Sequence, residues 1–246
     1  MEQNSRMPNM DLFSQQWGSY RAVVAHDLME HQAVATATAT ALETWLTSRP
    51  EGAEAAEMVD LGCGDLALLA PLLRRLPLGA YTGLDLTAQV LPLAQQALGE
   101  VPYPCRWIEG DLLAWASQAA GNGNGQVDIL HSAFAIHHLS DSEKHRLLKN
   151  LRSRIAPGGL FIWVDVFRDH GESREDYVQR YQQRIAAGWM QLTSQQREHV
   201  SQHLKGYDHP AERTAIEAAA EAAGWQWRWA WSGTHRAEAM AVLTPT

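Results

Sequence analysis

From Met58 onward, short apolar runs alternate with longer segments whose apolar residues recur every three or four positions. Met58–Leu61, Tyr81–Leu84, Cys105–Glu109, Val127–Ser132 and Leu160–Val166 read as short buried strands, and Leu66–Leu76, Thr87–Leu98, Leu112–Ala119 and Asp141–Ile155 as amphipathic helices between them. That alternation predicts an α/β fold, a parallel sheet with right-handed crossovers. Ahead of it, Asp11 to Ser48 reads as helical, with no Gly or Pro between Gly18 and Pro50.

Beyond Val166 the rhythm changes. Glu172 to Leu204 reads as polar helices rich in Gln and Arg, followed by a helix from Ala211 to Ala223 that Gly224 ends. Trp225–Ser232 and Glu238–Leu243 are then close enough to pair as an antiparallel hairpin. Trp225, Trp227, Trp229 and Trp231 alternate, which places all four on one strand face, and burial against a helix accounts for them more simply than an aromatic cage. Gly121-Asn-Gly-Asn-Gly125 reads as a loop before the fourth strand.

Composition narrows the class. The 246 residues, 46% hydrophobic and 20% charged, are those of an ordinary globular chain. A net charge of -8 argues against nonspecific attraction to nucleic acid. Cys63 and Cys105 form neither a disulfide framework nor a zinc pattern. The first residues lack a signal-peptide core, and no apolar run approaches the ~20 residues of a membrane span, so a cytoplasmic protein without membrane partners is expected.

Chemistry concentrates in Val59-Asp-Leu-Gly-Cys-Gly-Asp-Leu-Ala. Gly62 and Gly64 let backbone approach a ligand without a Cβ in the way, and a helix starting just after Gly64 would aim free N–H groups at it. Gly62, Gly64 and Ala67 satisfy a dinucleotide fingerprint, with Asp85 about 20 residues further on where a ribose-binding acid belongs. Asp60 would repel a pyrophosphate, however, while Asp85 suits two ribose hydroxyls and Asp111 an exocyclic adenine amine. This acid set fits a ligand carrying a sulfonium and an ammonium better than one carrying phosphates.

In VDLGCGD, YTGLDLT, IEGDLLAW, VDILHSAFAIHHLSD and IAPGGLFIWVDVF, in that order and spacing, the chain resembles the class I S-adenosylmethionine-dependent methyltransferases. The resemblance implies a Rossmann-like seven-stranded sheet, mostly parallel with one antiparallel strand, in the order 3-2-1-4-5-7-6 with helices on both faces. It implies one methyltransferase domain: cap helices over 11–48, a cofactor-binding core over 58–166, a substrate-cap insertion over 172–204, and a helix and hairpin over 211–246 completing the sheet. It further implies S-adenosyl-L-methionine as cofactor, with Asp60, Gly62 and Gly64 around the methionyl part, Asp85 on the ribose, Asp111 with Leu112 at the adenine, and Cys63 and Leu86 as further cofactor contacts. Ala133 and Phe134 would line the reacting centre, and Tyr20 and Arg21 would close over the cofactor. Leu66 departs from a pattern in which many members carry a third glycine.

The expected reaction is methyl transfer to a small-molecule acceptor by in-line displacement, in which positioning supplies much of the rate. His138, then His137, are the candidate general bases for a protonated acceptor. Arg168 can hold a substrate carboxylate, and His26, Tyr177, Tyr181 and Trp189 are the other candidate substrate contacts. A metal site built from His131, His137 and His138 is not expected, because no nearby carboxylate spacing resembles a known site. Two other readings remain: an NAD(P)-dependent oxidoreductase, which lacks an evident Tyr-x-x-x-Lys pair, and a cofactor-binding regulator without turnover.

Overall fold

The computed structural model describes residues 10–118 and 126–246; the loop expected at Gly121–Gly125 lies outside the described residues. The chain runs α1 (Met10–Ala25), α2 (His31–Ser48), β1 (Ala56–Leu61), α3 (Ala70–Leu73), β2 (Leu78–Asp85), α4 (Leu91–Leu98), β3 (Cys105–Glu109), α5 (Leu112–Ser117), β4 (Val127–Ala133), α6 (Asp141–Arg154) and β5 (Ile155–Arg168). It continues through α7 (Arg174–Gly188), α8 (Ser194–Tyr207), a two-residue β6 (Ala211–Glu212), α9 (Arg213–Ala222), β7 (Trp225–Ser232) and β8 (Glu238–Pro245). The sheet order is β3-β2-β1-β4-β5-β8-β7, with β6 attached beside β5. Counted without β6, this is the expected order 3-2-1-4-5-7-6, and β8 runs antiparallel to both β5 and β7.

The strands read as continuous apolar runs because both faces are covered. Val59, Leu130, Phe161 and Trp163 pack on the face carrying α5, α6 and α9, while Met58, Ile129, Leu160 and Ile162 pack on the face carrying α2, α3 and α4. A third apolar cluster stands apart. Val23 of α1 and Val166 of β5 meet Tyr177, Tyr181 and Ile185 of α7, Trp189, and Leu204 of α8. The 172–204 segment is therefore tied to the N-terminal helix and the end of β5 as a cap.

Three expectations are corrected. The N-terminal helix is broken between Ala25 and His31, where Asp27 (φ 54°) and Glu30 (φ 57°) take left-handed backbone without any glycine. Side chains hold the break: Asp27 accepts from the Gln32 amide, and Glu30 accepts from the amide and hydroxyl of Thr234. The helix expected from Leu66 is confined to Ala70–Leu73, preceded by turns, so no helix N-terminus follows Gly64 directly. Finally, a register shift between Trp229 and Trp231 sends the fourth tryptophan to the opposite face. Trp225, Trp227 and Trp229 pack beside α6 and α9, whereas Trp231 joins the other layer.

No helix among the described residues is long and apolar enough to cross a membrane.

Candidate active site

The turn after β1 is built against its neighbours. Gly62 (φ 78°) lies so close to Ala135 that a Cβ added there would stand 2.4 Å from the alanine Cβ. Its amide and that of Cys63 both donate to the Leu84 carbonyl at the end of β2, at 2.8 and 2.9 Å. At Gly64 (φ 56°) an added Cβ would meet no heavy atom within 4 Å, so this glycine answers to its backbone angle and the open space above it. Leu66 repeats that angle at φ 56° without being glycine. Left-handed backbone costs a leucine about 1–2 kcal/mol, and burial of its side chain, 4% exposed, offsets that by about 2–3 kcal/mol.

A pocket opens over this turn. Asp60, Gly62, Cys63, Gly64, Asp65 and Leu66 form its floor, Ala133 and Phe134 at the end of β4 its side, and Tyr20, Val24, His31, Val34 and Thr38 its helical roof. Phe134 sits at φ 53°, a backbone state an aromatic residue holds only under constraint, and its ring meets the His31 imidazole edge-on at 5.3 Å.

The acids divide their work. Asp60 is buried, with one carboxylate oxygen 2.7 Å from His131 Nδ1 and the other accepting from the Tyr81 hydroxyl at 3.0 Å. It is a fixed charge beneath the turn. Asp85 accepts from the amides of Gly64 (2.9 Å) and Thr87 (2.8 Å). Burial raises its pKa, and those two donors pull it part of the way back. Two backbone donors use only half of a carboxylate's acceptor positions, so capacity remains for ribose hydroxyls. Asp111 caps α5 through the Ala114 amide at 2.8 Å, with Leu112 beginning that helix. Leu86, 46% exposed, stands just past Asp85. The Cys63 thiol is pushed up by burial and the nearby aspartates, which keeps it protonated and unsuited to nucleophilic duty. Tyr20, at the roof, is 40% exposed, and Arg21 on the same helix is exposed too.

The expected catalytic and substrate residues fall differently. Neither His137 nor His138 lines this pocket. His137 Nδ1 lies 2.5 Å from Asp165, which also accepts from the His137 amide at 2.9 Å. Burial opposes its charged form, but Asp165 and Asp208 outweigh that and hold its pKa above the ordinary value. His138 meets the Ala135 carbonyl through Nδ1 (3.2 Å) and His203 through Nε2 (3.0 Å), and its side chain is 39% exposed. His138 Nε2 thus faces His203 rather than the pocket over the glycine turn.

Arg168 does not present a free guanidinium either, because it donates to the carbonyls of Pro210 (2.7 Å) and Glu172 (2.8 Å) and lies 3.5 Å from Asp141. Tyr181 donates to Glu238 at 2.7 Å and Trp189 packs edge-on against Tyr181, so both belong to the cap's own core. Tyr177 lies in that core as well, its hydroxyl buried without a hydrogen-bond partner. His26 is exposed on the turn between α1 and α2. The roof histidine is instead His31, 1% exposed, with neither ring nitrogen hydrogen-bonded. The sequence places His31 on the N-terminal segment but carries no signal that the chain bends there and swings this residue inward.

Residues 59–161 match the family described as Methyltransferase domain. Over that stretch the chain is similar to the S-adenosylmethionine-dependent methyltransferases. It is 36% identical over 119 residues, 48% of its length, to the trans-aconitate 2-methyltransferase of Azoarcus sp. strain BH72, covering 42% of that protein. It is 32% identical over 140 residues, 56% of its length, to the enzyme of the same name from Deinococcus radiodurans, covering 48% of it. The matched stretch thus spans about half the length of these relatives or less. Among solved structures, the chain shares the fold of S-adenosylmethionine-bound CalS10, an amino pentose methyltransferase from Micromonospora echinaspora, at a TM-score of 0.56 and 18% identity over 91% of this chain and 97% of that one. CalS10 itself binds S-adenosylmethionine, and a dinucleotide cofactor is not favoured for this chain.

Proposed function

We propose that this methyltransferase transfers the methyl group of S-adenosylmethionine to a small-molecule acceptor. The roof carries this reading. Residues of α1 and α2, among them Tyr20, His31 and Thr38, close over the glycine turn, and α7 and α8 pack behind them. A partly covered pocket favours a small acceptor over a polymer, which needs an open groove.

The residues present fit the cofactor. Asp60, Asp65 and Asp85 surround the turn with negative charge, which suits a sulfonium and an ammonium. Gly64 leaves room for close backbone approach. Bound S-adenosylmethionine supplies an electrophilic methyl group on sulfur. The chain's part is to hold Asp85 toward the ribose, keep Asp111 and Leu112 at the adenine end, and exclude water beneath the roof. His31 is a roof imidazole with both ring nitrogens free to meet an acceptor; burial lowers its pKa to about 4, which keeps it neutral and makes it a weak base. Two relatives carry the name trans-aconitate 2-methyltransferase, so small carboxylic acids are the first acceptors to test.

Calorimetry with S-adenosylhomocysteine, NADH and NADPH, followed by label transfer from S-adenosylmethionine to a panel of small acids, phenols and amines, tests the proposal. Saturable binding of the homocysteine nucleoside with transfer to a small acceptor is expected. Nucleoside binding with no transfer to any of them would make the chain a binding protein, and transfer only to protein or RNA would overturn the small-molecule reading.

A further inference from the structure

Outside the pocket over the glycine turn, two segments far apart in sequence bring metal-ligating side chains to one point. His137 and His138 lie on a short 3-10 turn after β4, His203 on α8, and Asp208 just past the end of α8. Asp208 Oδ1 stands 3.4 Å from His203 Nε2, 3.6 Å from His137 Nε2 and 3.9 Å from His138 Nε2. The His138 and His203 Nε2 atoms are 3.0 Å apart. A tetrahedral Zn²⁺ with bonds of 2.0–2.1 Å places its ligand atoms roughly 3.3–3.4 Å from one another, and these separations scatter around that value.

Hydrogen bonding on the far side of each ring makes the convergence chemical as well as geometric. His137 Nδ1 faces the Asp165 carboxylate, which accepts, so the ring's proton lies there and Nε2 presents its lone pair. His138 Nδ1 faces the Ala135 carbonyl, which can only accept, so its Nε2 presents a lone pair too. Asp208 Oδ1 is buried and has no hydrogen bond. Two imidazole lone pairs and an unsatisfied carboxylate oxygen therefore point at one another, an arrangement that calls for a cation. Asp165 is also fixed by donors from Trp163 and the backbone, and a carboxylate on the far side of a ligating imidazole is the usual outer support of a zinc ligand. The His209 amide donates to the His137 carbonyl at 2.7 Å and stitches the segment carrying Asp208 in place.

We propose that His137, His138, His203 and Asp208 form a binding site for a first-row divalent transition metal of the Zn²⁺ type, which clips the cap segment to the end of β4. The cap's core rests on apolar packing, and this site adds a connection at its C-terminal end. His131 takes no part, being paired with Asp60.

The test uses untagged, chelator-treated full-length protein titrated calorimetrically with Zn²⁺. One equivalent is expected to bind to the wild type. Asp208→Ala and His203→Ala should each remove that binding while S-adenosylhomocysteine binding reports that the protein is folded, and Asp165→Asn should weaken it roughly 10–100-fold. Should those variants fail to fold, Co²⁺ added to the metal-free wild type provides the second reading: the intense visible absorption of tetrahedral Co²⁺ is expected. No stoichiometric Zn²⁺ binding by the wild type, unchanged affinity in folded Asp208→Ala, or an octahedral Co²⁺ spectrum would each overturn the site and leave the cluster as imidazoles and a carboxylate bridged by a proton.

Discussion

Single residues set the cofactor end of this protein, and two of them predict measurable losses. Asp85 accepts from the Gly64 and Thr87 amides and is proposed to take the ribose hydroxyls with its remaining acceptor positions. In Asp85→Asn the charge is lost and one of the two acceptor oxygens becomes a donor facing an amide. Affinity for S-adenosylhomocysteine should fall by about 1.5–3 kcal/mol, readable by calorimetry, and an unchanged affinity would remove Asp85 from the ribose site. Gly62→Ala tests the turn rather than the ligand. Its Cβ would collide with Ala135, and the left-handed angle adds strain, so a stability loss of about 2–4 kcal/mol in urea unfolding is expected. These residues were legible in sequence because a glycine turn and strand-end acids recur at fixed offsets. Asp208 and His203 were not, since nothing in the spacing of a polar helical insertion says which of its side chains folds back onto His137, some seventy positions upstream.

At the scale of elements, the cap shows why polar helices can still be firmly docked. Arg184 of α7 donates to Glu238 of β8 at 2.6 Å and to the Leu28 carbonyl after α1 at 2.6 Å, while Tyr181 donates to the same glutamate. Glu238 is fully buried. Removing Arg184 alone strands that charge, so Arg184→Met should cost about 3–5 kcal/mol. Arg184→Met with Glu238→Gln should recover a substantial part of it, because the stranded charge is gone. Chemical denaturation of the two variants checks this, and equal losses would mean that the pair contributes through packing alone. The sequence showed 172–204 only as polar helices rich in Gln and Arg. What it concealed is that β8 supplies a buried glutamate to receive one of those arginines. The same limit explains the broken N-terminal helix: Asp27 and Glu30 bend the chain through partners at Gln32 and Thr234, and a partner 204 residues away leaves no local signature.

For the molecule as a whole, the strand order was readable because buried parallel strands must be apolar on both faces and their crossovers have one hand. The way α1 and α2 close over the sheet was not, yet it makes the protein's acid stability depend on a roof residue. His31 is buried between Phe134 and the turn, with Asp27 as the charge that favours its protonation and Asp60 and His131 lining the same pocket. Burial is the larger effect and lowers its pKa from 6.5 to about 4. Between those values the unfolded chain binds a proton that the folded chain refuses. Stability therefore falls as pH drops from about 6.5 to about 4, is fully reduced below that range, and is unaffected above it. The shift corresponds to an order-of-magnitude loss of about 3 kcal/mol. His31→Phe keeps a ring against Phe134 and has no proton to bind. Urea unfolding of ligand-free wild type and variant at intervals from pH 7 to pH 4 should show the wild type losing more stability across this window, by roughly that amount. Parallel curves would place the acid sensitivity elsewhere and would mean that burial does not hold the His31 imidazole neutral across this window.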